Sequence, residues 1–70
     1  MGDSIEIIIN GETQAFYGAV SVADLLARLW LPEKKIAVEH NLEIVPKSAY
    51  ASHMVEAGDR IEIVHFIGGG

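Results

Sequence analysis

The sequence predicts an α+β fold: a mixed sheet of four to five strands with one main helix packed across one face. Three observations predict it. A β-branched, nearly alternating run opens the chain ahead of an Asn-Gly hairpin signal. A single apolar stripe at helical spacing follows. Short strand-like runs then lead to a long alternating strand near the end. One helical stripe and one inward sheet face make a single core, which suits a chain of 70 residues.

Each element has a local reason. Ile5-Glu6-Ile7-Ile8-Ile9 reads as a strand with Ile5, Ile7 and Ile9 on one face. Asn10-Gly11 is the strongest short hairpin signal, because both residues tolerate positive φ, and Thr13 to Tyr17 is the returning strand, broken by Gly18. Ser21 can cap a helix, with Asp24 three positions on as a weak capping box. Val22, Leu25, Leu26 and Leu29 then fall at i, i+3, i+4 and i+7, and Pro32 is expected to end the helix. Ile36 to His40 is a third strand closed by a turn at Asn41, and Glu43 to Val45 a fourth, stopped by Pro46. Lys47 to Met54 is irregular, with Ser48 placed to cap one helical turn. After the turn Ala57-Gly58-Asp59, the strand Arg60 to Ile67 puts Ile61, Ile63, His65 and Ile67 on one side and Glu62, Val64 and Phe66 on the other. On that parity His65 is expected to be a partly buried core histidine.

Composition narrows the function classes. Half the residues are hydrophobic and only 21% charged, which argues against disorder. With no cysteine, and with His40, His53 and His65 at least 12 positions apart, neither a disulfide nor a histidine metal site is expected, so the fold rests on apolar packing. The net charge is −5, and the five basic residues are scattered with one adjacent pair. Nucleic acid is therefore not an expected partner, whereas a basic surface on a partner protein is. No apolar run approaches the roughly 20 residues of a membrane span, and Met1-Gly2 lacks the Ser or Thr of a myristoylation signal, since Glu6 stands there. A soluble cytoplasmic protein is the expectation.

The last three residues are the unusual feature. Gly68-Gly69-Gly70 cannot stabilise a fold, because glycine has the largest entropic cost of ordering. They are either an idle flexible end or a thread in use. Three residues without side chains extend at most about 10 Å and pass through a channel that any Cβ would obstruct. What they deliver is the α-carboxylate of Gly70. That group must be activated before it reacts, most simply as an acyl-adenylate made by a partner using ATP. The chain has no phosphate-binding Gly-x-x-x-x-Gly-Lys run and no cysteine nucleophile. It reads as substrate or carrier, with no catalytic residues of its own.

Ala37-Val38-Glu39-His40-Asn41-Leu42-Glu43-Ile44-Val45-Pro46-Lys47-Ser48 resembles the Ala-Val-x-x-Asn-x-x-x-Val-Pro-Arg-Ser segment of the ThiS family, the sulfur carriers of thiamine biosynthesis. The Ile-x-Asn-Gly-Glu opening, the Val22-to-Leu29 helix, the Gly58-Asp59-Arg60-Ile61 run and the terminal Gly-Gly are similar too. The resemblance covers essentially the whole chain. Lys47 stands where arginine is usual, Tyr50 where tryptophan is common, and a third glycine precedes Gly-Gly.

The resemblance implies a β-grasp, ubiquitin-like domain over residues 1–67 and a glycine tail over 68–70. It implies that Gly70 is adenylated by an E1-like, ThiF-type adenylyltransferase using ATP, with no cofactor bound to the carrier itself. A sulfur-donating enzyme then completes a thiocarboxylate, which supplies the sulfur of the thiamine thiazole on a ThiG-type thiazole synthase. Gly68 and Gly69 form the thread behind Gly70. It also implies docking through the sheet face away from the helix, where parity places Phe66, Val64, Glu62 and Ile8. Three other readings remain: a molybdopterin-synthase small subunit, a ubiquitin-like protein modifier, and a β-grasp interaction module with an idle end. The chain's compact length and its Val45-Pro46-Lys47-Ser48 segment favour the thiamine carrier over the molybdopterin one.

Overall fold

The computed structural model describes residues 4–65. Strand β1 (Ser4–Ile9) pairs antiparallel with β2 (Glu12–Tyr17). The hairpin turns on Asn10 and Gly11, at φ 49° and 84°, the left-handed pair that a two-residue type I′ loop requires. Asn10 then extends the ladder with its side chain: Oδ1 accepts from the Ile63 amide at 2.7 Å and Nδ2 donates to the Ile63 carbonyl at 3.2 Å.

Beyond Gly18, β3 (Val20–Ser21) pairs with the distant β6 (Met54–Val55) as a separate two-stranded ribbon. Both strands are only two residues long, too short for an alternation pattern to reveal. Helix α1 (Val22–Arg28) starts as expected, with Ser21 Oγ accepting from the Asp24 amide at 3.0 Å. Its next free amides are also satisfied, since Val22 N–H donates to the His53 carbonyl and Ala23 N–H to the Tyr50 carbonyl.

The helix does not run to Pro32. Leu29 is its C-cap and Trp30 turns left-handed at φ 61°. Trp30 N–H then bonds the Ala27 carbonyl and Leu31 N–H the Leu26 carbonyl, the two bonds of a Schellman ending. Pro32 instead leads into a 3₁₀ turn, Glu33–Lys35.

Strand β4 (Ile36–His40) turns through Asn41 and Leu42, both left-handed, into β5 (Glu43–Val45). The next segment forms a 3₁₀ turn over Lys47–Ala49, and the capping role expected of Ser48 is not found. Ser48 lies inside the turn, and Pro46, which occupies the capping position, has no side chain able to accept. The last strand, β7 (Arg60–His65), lies at the centre of a five-stranded sheet ordered β2-β1-β7-β4-β5. It runs parallel to β1 and antiparallel to β4.

The core sits between the helix and one sheet face. Ile7, Ile9, Ile36, Val38, Ile61 and Ile63 supply the sheet side; Val22, Leu25 and Leu26 supply the helix side; Phe16, Val20, Val45, Tyr50 and Val55 close the ends. The expected parity of β1 and β7 holds through Ile63. His65 departs from expectation: it is exposed rather than a core histidine. By that point β1 has already turned into its hairpin, so the last residue of β7 keeps Ile36 of β4 as its strand partner and has none on the β1 side.

Candidate functional site

Sheet pleating puts every second residue on the face away from the helix. On β7 these are Arg60, Glu62 and Val64, and the register sets Ile8 of β1 beside Arg60, Glu39 of β4 opposite Glu62, and Ala37 opposite Val64. Ile44 of β5 lies opposite Glu39. Three of the expected docking residues, Ile8, Glu62 and Val64, therefore share one open face. Val64 is 52% exposed, and Ile8 and Glu62 are half-buried. Phe66, Gly68, Gly69 and Gly70 lie outside the described residues.

Sequence reasoning missed part of this face. Ile44 and Leu42 are each about three-quarters exposed, which extends the apolar area to the β5 edge. Leu42 also adopts φ 74°, a conformation that bulky residues pay for in backbone strain. A shallow depression of about 250 Å³, lined by Ile8, Asn41, Leu42, Gly58 and Arg60, opens between the β4–β5 turn and β1. Glu39 and Glu62 face each other across β4 and β7, and like charges so placed are unfavourable in an isolated sheet. With Glu6 also on this side, three carboxylates stand against Arg60, so the face is apolar and net acidic, which fits a basic partner surface carrying apolar side chains.

A second cluster links three parts of the chain. His40 Nε2 meets Asp59 Oδ2 at 2.6 Å, and His40 Nδ1 meets His53 Nε2 at 2.6 Å with the two rings edge-on. With Asp59 ionised, His40 Nε2–H donates to it, and one proton serves the contact between the two histidines. Asp59 Oδ2 also accepts from the Glu56 amide at 2.8 Å, and Oδ1 accepts from Asn41 Nδ2 at 3.4 Å. Burial pushes the Asp59 carboxyl up, but the Glu56 amide, His40 and Asn41 outweigh it and hold the group below its ordinary value. Both ring nitrogens of His40 are occupied, so the cluster is a clasp holding β4, the segment before β6 and the turn before β7 together. It offers no open position to a substrate.

Among the described residues one helix lies across a mixed five-stranded sheet whose last strand is central, the architecture of a β-grasp domain. The sequence profile of the ThiS family matches residues 2–70, and the chain belongs to that family. It is 52% identical to the sulfur carrier protein ThiS of Bacillus subtilis over 52 residues, covering 71% of this chain and 76% of that protein. It is also 52% identical over 66 residues, 94% of the chain, to a thiazole synthase of Paramagnetospirillum magneticum, and spans only 20% of that protein's length. The crystal structure of a thiamine biosynthesis protein (ThiS) from Geobacter metallireducens superposes with a TM-score of 0.81 at 29% identity, covering 94% of this chain and all of that one.

Proposed function

We propose that this chain is a sulfur carrier for formation of the thiamine thiazole ring. The observation that carries the reading is a family match extending from residue 2 through Gly70, glycine tail included. In this reading a carboxylate oxygen of Gly70 attacks the α-phosphorus of ATP on an adenylating enzyme and expels pyrophosphate. Sulfide delivered by a sulfur-donating enzyme then attacks the acyl carbon, the carbon–oxygen bond to AMP breaks, and Gly70 is left as a thiocarboxylate. Thiazole synthase takes the sulfur from there. The matches to two thiazole synthases, each about five times the length of the aligned region, support a working partnership between such a domain and that enzyme.

The chain's own contribution is mechanical. The central strand of the described domain ends at His65, five residues before Gly70, and the domain offers the open sheet face for recognition. No helix among the described residues is long and apolar enough to cross a membrane. Intact-mass measurement after co-expression with an adenylating enzyme and a sulfur source tests the reading. Replacement of one oxygen by sulfur at Gly70 supports it. Conjugates with other proteins would favour a modifier, and an unchanged mass would overturn the carrier role. Formation of thiazole in a reconstituted reaction separates the thiamine carrier from a molybdopterin one.

A further inference from the structure

The overall acidic balance hides a local exception. Three of the five basic residues, Lys34, Lys35 and Lys47, gather at one end of the sheet. β4 begins at Ile36, whose partner is His65 at the described end of β7, so Lys35 lies one step beyond that pair. In the β4–β5 register Val45, the last residue of β5, faces Val38, and Lys47 opens the 3₁₀ turn two residues further on. Lys47 Nζ donates to the Lys34 carbonyl at 2.8 Å and ties the two turns together. All three lysines are exposed, and Glu33 directly precedes Lys34. Glu39 and Glu62 belong to the open face instead.

Four residues before Lys34, and so within about 14 Å of chain, stands Trp30. It is 92% exposed and left-handed. Its side chain contributes almost nothing to the core, and its backbone would be better served by glycine. The core therefore does not explain an indole at this position.

We propose that this end of the domain, Lys34, Lys35 and Lys47 with Trp30, docks on the mouth of the channel that receives the tail, and that this mouth is acidic with an apolar recess for the indole. The inference rests on the carrier reading above. Residues 66–70 reach at most about 17 Å beyond His65. A partner can take Gly70 into a pocket only by closing on the surface around the exit, where the three lysines are and Trp30 is within about 14 Å of Lys34 along the chain. The lysines lie beside the described end of β7, and the role assigned to them is docking. The partner then meets two surfaces of opposite sign, basic at the exit and acidic on the open face. A domain rotated about the tail would set like charges against each other, so the pattern fixes one docking orientation.

The test measures binding of the full chain to its ATP-dependent adenylating enzyme by stopped-flow at low and high salt. The variants are K34E/K35E, the conservative K34R/K35R, and Trp30→Gly. These side chains are exposed, and Lys34 contributes to the Lys47 bond through its carbonyl, so the fold should persist; circular dichroism checks this. The expected result is association at least about tenfold slower for K34E/K35E at low salt, with the gap shrinking as salt screens the contact. K34R/K35R should match the parent, and Trp30→Gly should dissociate faster with little change in association rate. Equal rates for the parent and K34E/K35E, while the parent still gains sulfur at Gly70, would overturn the docking surface and leave the carrier reading standing. A parent chain that neither binds nor gains sulfur would overturn both.

Discussion

Trp30→Gly should leave the domain slightly more stable, against the general rule for removing a large aromatic side chain. A buried aromatic truncated to alanine costs about 3–5 kcal/mol, but Trp30 is 92% exposed. The packing at risk is under a tenth of that, about 0.3 kcal/mol. Against it stands the left-handed backbone at φ 61°, which costs a residue with a Cβ roughly 1–2 kcal/mol. Glycine removes that strain but adds about 0.5–1 kcal/mol of unfolded-chain entropy. The balance is a gain of about 0.5 kcal/mol, which for a domain of this size raises Tm by about 2–4 °C. Trp30→Ala isolates the cause, because alanine loses the indole and keeps the strain; it should fall about 1 kcal/mol below the glycine variant. Urea denaturation of the three proteins, with m-values compared to exclude a change in the denatured state, gives the numbers. A loss above about 1 kcal/mol in Trp30→Gly, or equal stability of the two variants, would show that the indole is packed and the strain argument wrong.

Other perturbations probe separate parts of the structure. Asp59→Ala should cost about 1–3 kcal/mol, since it leaves the Nε2–H of His40, itself only 17% exposed, without its acceptor. The depressed Asp59 carboxyl also fixes a sign. Its contribution is present above the ordinary value near 3.8 and is lost as pH falls through the lower folded value. Acid titration of stability should therefore be flatter below about pH 4 in Asp59→Asn than in the parent; parallel curves would refute the assignment. Glu39→Gln removes one of two opposed carboxylates and should raise stability by about 0.2–1 kcal/mol while slowing association with a basic partner. Ser21→Ala deletes the acceptor for the Asp24 amide and should lower stability by about 1 kcal/mol, read from the thermal midpoint. Phe66→Ala should weaken binding to the adenylating enzyme without unfolding the domain, and unchanged affinity would remove Phe66 from the docking face.

What could be read from the sequence was what neighbouring residues settle among themselves. Asn10-Gly11, the Ser21 cap and the pleat parity of β1 and β7 depend on contacts within a few positions, and each appears where the pattern put it. The helix ending was misread because proline is an obvious stop signal and tryptophan is not. The Schellman bonds that stop the chain at Leu29 work with any residue that can be forced left-handed. The histidine clasp was invisible for another reason. His40, His53 and Asp59 are separated by 13 and 6 positions, and only the turn before β6 and the register of β7 bring them within 2.6 Å. His65 shows the limit of parity itself, which gives a direction but says nothing of whether a neighbour is there to cover it.

The distribution of strain separates what holds this domain together from what it shows to others. The core is complete on the helix side of the sheet, with Ile7, Leu25, Leu26, Ile36, Val38 and Ile61 fully buried. Outside it, Trp30 and Leu42 hold unfavourable backbone angles with their side chains in water, and Glu39 faces Glu62. Each of these lowers the stability of the isolated domain, and a chain this small has only about 3–10 kcal/mol in all. Such features are tolerable if a partner recovers the loss, by covering the apolar groups and neutralising the paired carboxylates. On the carrier role proposed above, the domain also needs contacts that form fast and release. Charge complementarity around a few exposed anchors supplies fast association, while a large buried apolar interface would slow the exchange. The charged and singly exposed apolar groups on this surface therefore suit a contact made and released better than a permanent apolar interface.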